Sequence, residues 1–371
     1  MAPERWTSPS RPSGGRYSVR VMTMQAWRLH EYGAPSTVLQ LDTVPTPEPE
    51  AGELRVRVQA IPLNLNDLER ITGGNMMVRP ELPYSPGMEV MGRVVACGPG
   101  AEAWMDRRVV AMPKQAHGGF AEQAICPTVS AFEMPDSIPL PGAAALYFPF
   151  HLAWLGLFDR AGLQAGESVL IHAAAGGSGS AAVQLAAHAG ARVFATAGTD
   201  AKVELCRDLG ADVAINYNDA DFAEVVLAET GNRGVDVVFD NVGESVFEKS
   251  LAATAYNGRY LMMGFASNKL VADEPFVVPR RLALGNLKLC GVLLAYAEDD
   301  MAAMVKTAMG WNFASGRLGE HIMRDVVDLV VAGSIRPVVG ATVPFGALPA
   351  AVEALANRET TGRTIILVDD A

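Results

Sequence analysis

The sequence predicts an α/β protein in which a β-rich domain accompanies a doubly wound parallel sheet. Two patterns carry that prediction. From 168 to 266, strands and helices alternate with short loops, which calls for right-handed crossovers and a parallel sheet. The first 140 residues hold short alternating strands broken by Pro and Gly, such as Leu54-Arg-Val-Arg-Val-Gln59 and Gly92-Arg-Val-Val-Ala96, the pattern of an antiparallel, barrel-like domain. The length, 371 residues, also exceeds one ordinary core.

Taken in order, residues 1–22 are rich in Pro, Ser, Gly and Arg without apolar periodicity. They read as a disordered tail, or as an overlong start before Met24; Arg5, Arg11, Arg16 and Arg20 against Glu4 also suggest an organellar leader. After the β-rich stretch, Ser168-Val-Leu-Ile-His-Ala173 is a buried strand and Ser178 to Ala189 a helix. Arg192 to Ala197 is the next strand, followed by a helix capped by Asp200 and ended by Gly210. Strands at 212–216, 235–239 and 259–263 alternate with helices from Asp221 to Glu229 and from Glu244 to about Ala255. The segment Leu284 to Leu294 is apolar and strand-like. Helices near 300–314, 320–332 and 348–357 precede a last strand, Arg363 to Val368, which returns to complete the first domain.

Net charge is −11, so a general nucleic-acid role is disfavoured, because phosphate backbones need a basic surface. No uncharged apolar run reaches membrane-spanning length. The four cysteines are scattered, which indicates neither a disulfide framework nor a zinc knot and fits a reducing cytoplasm. His30, His117, His151, His172, His188 and His321 show no ligand spacing.

The chemistry is concentrated at Ala174-x-Gly176-x-x-Gly179. Strand, glycine turn and helix N-terminus together form an anion site, since free N–H groups and the dipole face a phosphate that glycine lets approach. The context makes it a dinucleotide fingerprint, with Ala175, Gly176, Gly177, Ser178 and Gly179 as cofactor-binding candidates. An NAD site places an acid at the second strand's tip; here the tip is Thr196-Ala197-Gly198-Thr199. A neutral tip with Lys202 close behind, and Tyr217 ending the next strand, suits a 2′-phosphate, so NADPH is the expected cofactor.

The chain resembles the zinc-independent quinone oxidoreductase branch of the medium-chain dehydrogenase/reductase superfamily. The likeness runs from about Met24 to Val368 and rests on Asn64-Leu-Asn-Asp67, Pro86-Gly-Met-Glu89, Gly118-Gly-Phe-Ala-Glu122, Ala173-Ala-Ala-Gly-Gly-Ser-Gly179, Asp240-Asn-Val-Gly243 and Thr361-Gly-Arg363. It implies a GroES-like catalytic domain, 23–147 with 290–371, around a Rossmann domain, 148–289. It places Lys202 and Tyr217 at the 2′-phosphate, with Gly198 and Thr199 beside them, and Ala197 where NAD-dependent relatives carry Asp. Asn64, Asn241, Gly264, Phe265, Ala266 and Arg363 are the remaining cofactor-binding candidates, with Gly264-Phe265-Ala266 by the nicotinamide and Arg363 as a possible partner in holding the phosphate. Zinc-dependent relatives have Cys at the position of Asn64 and His at that of Met88; Asn and Met are poor zinc ligands.

A metal-free site favours an acceptor that is already electrophilic: a quinone or an α,β-unsaturated carbonyl. Asn64 is the candidate hydrogen-bond donor and ribose contact, Asp67 orients its loop, and Tyr84, Tyr147 and His151 are candidate pocket residues. One alternative is an enoyl-thioester reductase of fatty-acid or polyketide type, although Gly73-Gly-Asn-Met76 stands where those enzymes carry an acidic Tyr. Glu69 stands where some quinone reductases have Tyr over the nicotinamide. The alternative of another class is a non-catalytic NADPH-binding sensor or structural protein. A homodimer through the 284–294 edge is expected, because an unpaired apolar edge invites pairing.

Overall fold

A computed structural model of the protein describes residues 22–74, 79–263 and 279–368. The tail up to residue 21 and the Gly264-Phe265-Ala266 segment lie outside the described residues. Two large sheets organise the chain. The first is six-stranded, in the order Val213–Asn216, Arg192–Ala197, Ser168–Ile171, Val235–Asp240, Thr254–Met262 and Lys288–Gly291. Every neighbouring pair in it is parallel. This is the dinucleotide-binding strand order, whose reversal point lies beside the central Ser168–Ile171 strand. Four-residue runs such as Ser168-Val-Leu-Ile171 are wholly buried, as strands covered on both faces must be.

The second sheet is built on Glu53–Pro62, a long strand flanked by Val90–Cys97, Gln123–Pro127 and the C-terminal Arg363–Leu367, all antiparallel to it. The C-terminal strand thus returns to the first domain, with Ile366 opposite Ile61. Val339–Pro344 runs parallel to that last strand at the sheet's edge. A separate hairpin pairs Thr23–Leu29 with Leu39–Pro45.

The two sheets share a core. Ala60, Met91 and Phe132 of the second sheet belong to one buried cluster with Val169, Ile171, Val237 and Phe239 of the first. A helix, Tyr147–Trp154, contributes Tyr147, Phe150 and Ala153 to the same cluster and continues as a π-helical turn, Leu155–Arg160. The apolar sequence there has no amphipathic period, because six of this helix's eight residues are buried.

Local chemistry shifts several expected elements. Thr199, not Asp200, caps the Asp200–Asp208 helix: its hydroxyl accepts the Lys202 N–H at 3.3 Å. The Asp200 carboxylate instead accepts Asn216 Nδ2 at 3.0 Å. The 284–294 segment is not one strand. Leu284 falls in the Pro279–Gly285 helix, and Asn286, with φ +50°, turns the chain before Lys288–Gly291. Gly310, with φ +75°, ends the Asp299–Met309 helix short of Trp311.

Candidate functional site

The glycine turn opens the Gly177–His188 helix, and no side chain caps it. The N–H groups of Gly177, Ser178 and Gly179 in its first turn therefore have no intrahelical acceptor. Gly176 precedes them in extended conformation, and its N–H closes the turn on the Ala173 carbonyl at 3.0 Å. A Cβ on Gly179 would stand 2.2 Å from that same carbonyl, so only glycine lets helix and strand approach this closely. The Ala175 carbonyl accepts the Gly362 N–H at 2.8 Å, which ties the turn to the C-terminal strand. This cradle fits the diphosphate of a dinucleotide.

The second strand's tip gathers the nucleotide-selecting candidates. A Cβ on Gly198 would fall 2.4 Å from the Tyr217 hydroxyl, so the bare glycine lets that ring lie over the tip. Tyr217 is 49% exposed. Ala197 is buried and puts no charge at the tip. Lys202 Nζ donates to the carbonyl of Arg358 at 3.3 Å. Arg358 has φ +61°, and its carbonyl reaches Lys202 from 156 residues along the chain. Arg363, expected to share the phosphate, is turned elsewhere. Its stem lies 2.7 Å from where a Gly177 Cβ would be, and its guanidinium enters the protein.

There it meets Asn64 and Glu89. Arg363 Nη1 donates to Asn64 Oδ1 at 2.9 Å, and Nη2 to Glu89 Oε2 at 2.6 Å. Asn64 Nδ2 donates to Glu89 Oε2 at 3.1 Å and to the Pro62 carbonyl at 3.2 Å. The other oxygen of Glu89 accepts the Phe148 N–H at 3.1 Å. All three side chains are buried. The consequence for Asn64 is definite: both amide hydrogens are engaged, so what it can offer a ligand is the remaining lone pair of Oδ1. In this arrangement it is an acceptor, suited to a ribose hydroxyl, and not the oxyanion donor the sequence suggested.

Asp67 lies in the first turn of the Leu65–Thr72 helix. It accepts the Asn64 N–H at 3.0 Å and the Met88 N–H at 2.9 Å. Burial pushes its carboxyl up to about 6, against the opposing pull of Arg70, the two backbone donors and Arg363. Its role is to fix the loop that carries Asn64 to the segment that carries Glu89. Glu89 is the site residue that sequence reasoning quoted in a motif without giving it work; its pairing with Arg363 spans 274 positions.

The three expected pocket residues part ways. Tyr84 is buried near Asp67 and Arg70, and its hydroxyl donates to the Arg70 carbonyl at 3.3 Å. Tyr147 and His151 are fully buried with Phe132 and Tyr296 in an aromatic cluster. His151 Nδ1 bonds the Tyr296 hydroxyl at 2.8 Å, and burial holds the imidazole down to about 3, so it stays neutral. They pack in this cluster rather than line an open pocket, on a helix that lies against the Gly177–His188 and Gly316–Val331 helices. Asn241 follows the Val235–Asp240 strand, whose terminal carboxylate accepts the N–H groups of Val242 and Gly243. Its own Nδ2 is buried with no partner among the described residues, a group left for a ligand at the strand ends.

A resident zinc does not fit this centre. The amide of Asn64 is committed to Arg363, Glu89 and Pro62, Met88 offers only a soft thioether, and Glu89 is held by a guanidinium. Among the described residues no group of three or more His, Cys, Asp or Glu could hold a metal ion.

Residues 50–136 match the alcohol dehydrogenase GroES-like domain family, and 177–309 the zinc-binding dehydrogenase family. The chain is 31% identical to the quinone oxidoreductase of Rattus norvegicus over 242 residues, 65% of this chain and 73% of the rat protein. It is 30% identical over 343 residues to a 2-haloacrylate reductase of Burkholderia, covering 91% of this chain and 97% of that one. A mycobacterial protein solved in complex with NADPH superposes with a TM-score of 0.79 at 31% identity, over 93% of this chain and 99% of its own. Together with the parallel-sheet order and the glycine turn, these likenesses establish that the chain belongs to the quinone oxidoreductase branch of the medium-chain dehydrogenase/reductase superfamily.

Proposed function

We propose that the protein is a metal-independent reductase that passes a hydride from NADPH to a quinone or an activated alkene. The chain is an NADPH-dependent oxidoreductase; the metal-free chemistry and the acceptor class are the finer reading. The observation that carries it is the buried Asn64–Glu89–Arg363 network, which fills the catalytic loop with an ion pair where a Lewis acid would need ligands.

NADPH supplies the hydride when bound. The first-turn N–H groups at Gly177, Ser178 and Gly179 would hold the diphosphate, and Lys202 and Tyr217 would face the 2′-phosphate. Asn64 Oδ1 takes a ribose hydroxyl, and Asn241 Nδ2 donates nearby. Holding cofactor and acceptor in register is itself a large part of such a rate, since conjugated acceptors need little further activation. The cofactor domain in this reading is 148–289, inserted in the catalytic domain of 23–147 and 290–371. Four free thiols fit a cytoplasmic setting. Among the described residues no helix is long and apolar enough to cross a membrane. A homodimer through the Lys288–Gly291 edge belongs to the same reading, and a monomer mass by light scattering would remove it.

The test is NADPH oxidation with 1,4-benzoquinone, a simple enone and crotonyl-CoA, before and after chelator, alongside elemental analysis. Turnover of the first two that survives chelation is expected. Crotonyl-CoA as the preferred acceptor would move the protein to the enoyl-thioester reductases. Tight NADPH binding with no turnover would make it a sensor, and activity lost with a stoichiometric metal would overturn the metal-free centre.

A further inference from the structure

Beneath the strand ends that carry the glycine turn runs a buried polar chain. The Tyr260 hydroxyl donates to Asp240 Oδ2 at 2.6 Å, a length that marks a charge-assisted bond. Asp240 Oδ1 in turn accepts the N–H groups of Val242 at 2.7 Å and Gly243 at 3.0 Å. Both Tyr260 and Asp240 are buried, so no solvent stands in for a lost bond. Burial, and then the Asp240 charge, push the phenol well above its ordinary value, which keeps it a donor. Ser250 stands beside it, but its hydroxyl proton goes to the Val246 carbonyl at 2.7 Å. Ser250 therefore does not replace the phenol as a donor to Asp240.

The turn held by these bonds, Asn241-Val242-Gly243, has little else to fix it. Gly243 has φ +96°, and no side chain caps the Glu244–Ala252 helix that starts after it. Its place follows from the sheet. Phe239 pairs with Ile171, and the His172 N–H donates to the Phe239 carbonyl at 3.0 Å. The 241–243 turn thus stands beside the start of the glycine turn, at the same end of the sheet. The other neighbour of Ser168–Ile171 is Arg192–Ala197, whose tip leads to the 2′-phosphate candidates Lys202 and Tyr217. A dinucleotide lies across the carboxyl ends of such strands. With the diphosphate in the cradle and the adenosine half at the Arg192–Ala197 tip, the nicotinamide half falls on the side of Val235–Asp240 and its turn.

We propose that Tyr260 is a positioning residue for hydride transfer: through Asp240 it fixes the 241–243 turn against which the nicotinamide half of the cofactor lies. This rests on the NADPH reductase reading and deepens it, by giving work to a buried residue that itself touches neither cofactor nor acceptor. Loss of the phenol would loosen the turn and not the cradle or the second strand's tip, so its effect belongs to one half of the cofactor.

Calorimetry compares NADPH, which fills both halves of the groove, with adenosine 2′,5′-bisphosphate, which fills only the adenosine half. Tyr260→Phe keeps the ring and its edge-on packing with Phe247, centroids 5.0 Å apart, and removes the donor. It should weaken NADPH roughly three- to tenfold and leave the bisphosphate unchanged. Single-turnover hydride transfer to 1,4-benzoquinone should slow roughly tenfold. Asp240→Ala should lose at least as much NADPH affinity, and adding Tyr260→Phe to it should cost nothing further, since the phenol acts only through that carboxylate. Val226→Ala, in the same buried cluster as Tyr260, should lower the unfolding midpoint and keep the wild-type ratio of the two affinities. Unchanged NADPH affinity in Tyr260→Phe, equal loss of both ligands, or the same selective loss in Val226→Ala each overturns the proposal. Wild-type protein that binds NADPH but passes hydride to no acceptor removes the reductase reading, and the two affinities still decide whether Tyr260 holds the nicotinamide side of the groove.

Discussion

The two ends of the cofactor groove use charge in opposite ways. At the strand tip, Lys202 and Tyr217 stand in or near solvent; Tyr217 is 49% exposed. At the catalytic loop, Glu89 is 1% and Arg363 5% exposed, and their ion pair is 2.6 Å long. An exposed cation is solvated while it waits for its ligand, so removing it costs affinity and little else. A buried pair has no water to fall back on. Removing one partner strands the other, and the cost appears in the fold itself. In the proposed reading one end selects the nucleotide, and the other sets the geometry of Asn64.

The comparison breaks most readily at Glu89. Glu89→Leu leaves Arg363 buried and uncompensated, and should lower unfolding free energy by about 3–5 kcal/mol in urea titration. The double change with Arg363→Met should recover most of that loss, because two apolar groups replace two charges. A double variant as unstable as the single one would show that the pair is not a unit. Next in size is Gly179→Ala. Its methyl group would be forced onto the Ala173 carbonyl, at a cost of about 1–3 kcal/mol, together with a loss of NADPH affinity; normal binding by that variant would dismiss the cradle.

At the exposed end, Lys202→Ala should weaken NADPH about tenfold, since about 1.4 kcal/mol is a factor of ten, and should leave NADH nearly unchanged. Ala197→Asp should move preference toward NADH by repelling the 2′-phosphate and offering a carboxylate to the free diol. Calorimetry with both nucleotides checks each. If Lys202→Ala unfolds the protein while sparing selectivity, the contrast between the two ends fails.

The catalytic-loop end also carries a pH dependence. The folded-state carboxyl of Asp67 is raised by burial to about 6, above the unfolded value of about 3.9. The folded protein thus binds this proton more tightly than the unfolded chain. Its contribution to stability is greatest below about pH 4 and declines as pH rises to about 6, the reverse of an ordinary paired carboxylate. In Asp67→Asn that decline should disappear, read as the difference between variant and wild-type unfolding midpoints at about pH 4 and about pH 7. A variant with the wild-type slope would move the titration to another group.

Much of this molecule could be read along the chain. The α/β class and the parallel sheet followed from alternating buried strands such as Val235–Asp240 and intervening helices. The anion cradle followed from three glycines between a strand and a helix. These are local facts, because hydrophobic period and backbone freedom act over a few residues. Boundaries were read less well where a single side chain decided them: Thr199 took the cap from Asp200, and Asn286 broke the 284–294 strand.

The catalytic loop was legible as a list of residues and not as an arrangement. Asn64 was singled out, but its bonding is set by Glu89, 25 positions on, and by Arg363, 299 positions on. Both amide hydrogens were already engaged, which turned an expected donor into an acceptor. Tyr147 and His151 looked like pocket residues until both proved fully buried in an aromatic cluster with Phe132. Arg70 drew no attention, since nothing in the sequence separates a solvated arginine from a buried one. Sequence by itself determined the fold class, the phosphate turn and the uncharged tip of the second strand, because each depends on residue type within one turn or one strand. Tertiary structure alone decided which charges are paired and which donors remain open, because both depend on desolvation by segments that meet only after the chain has closed.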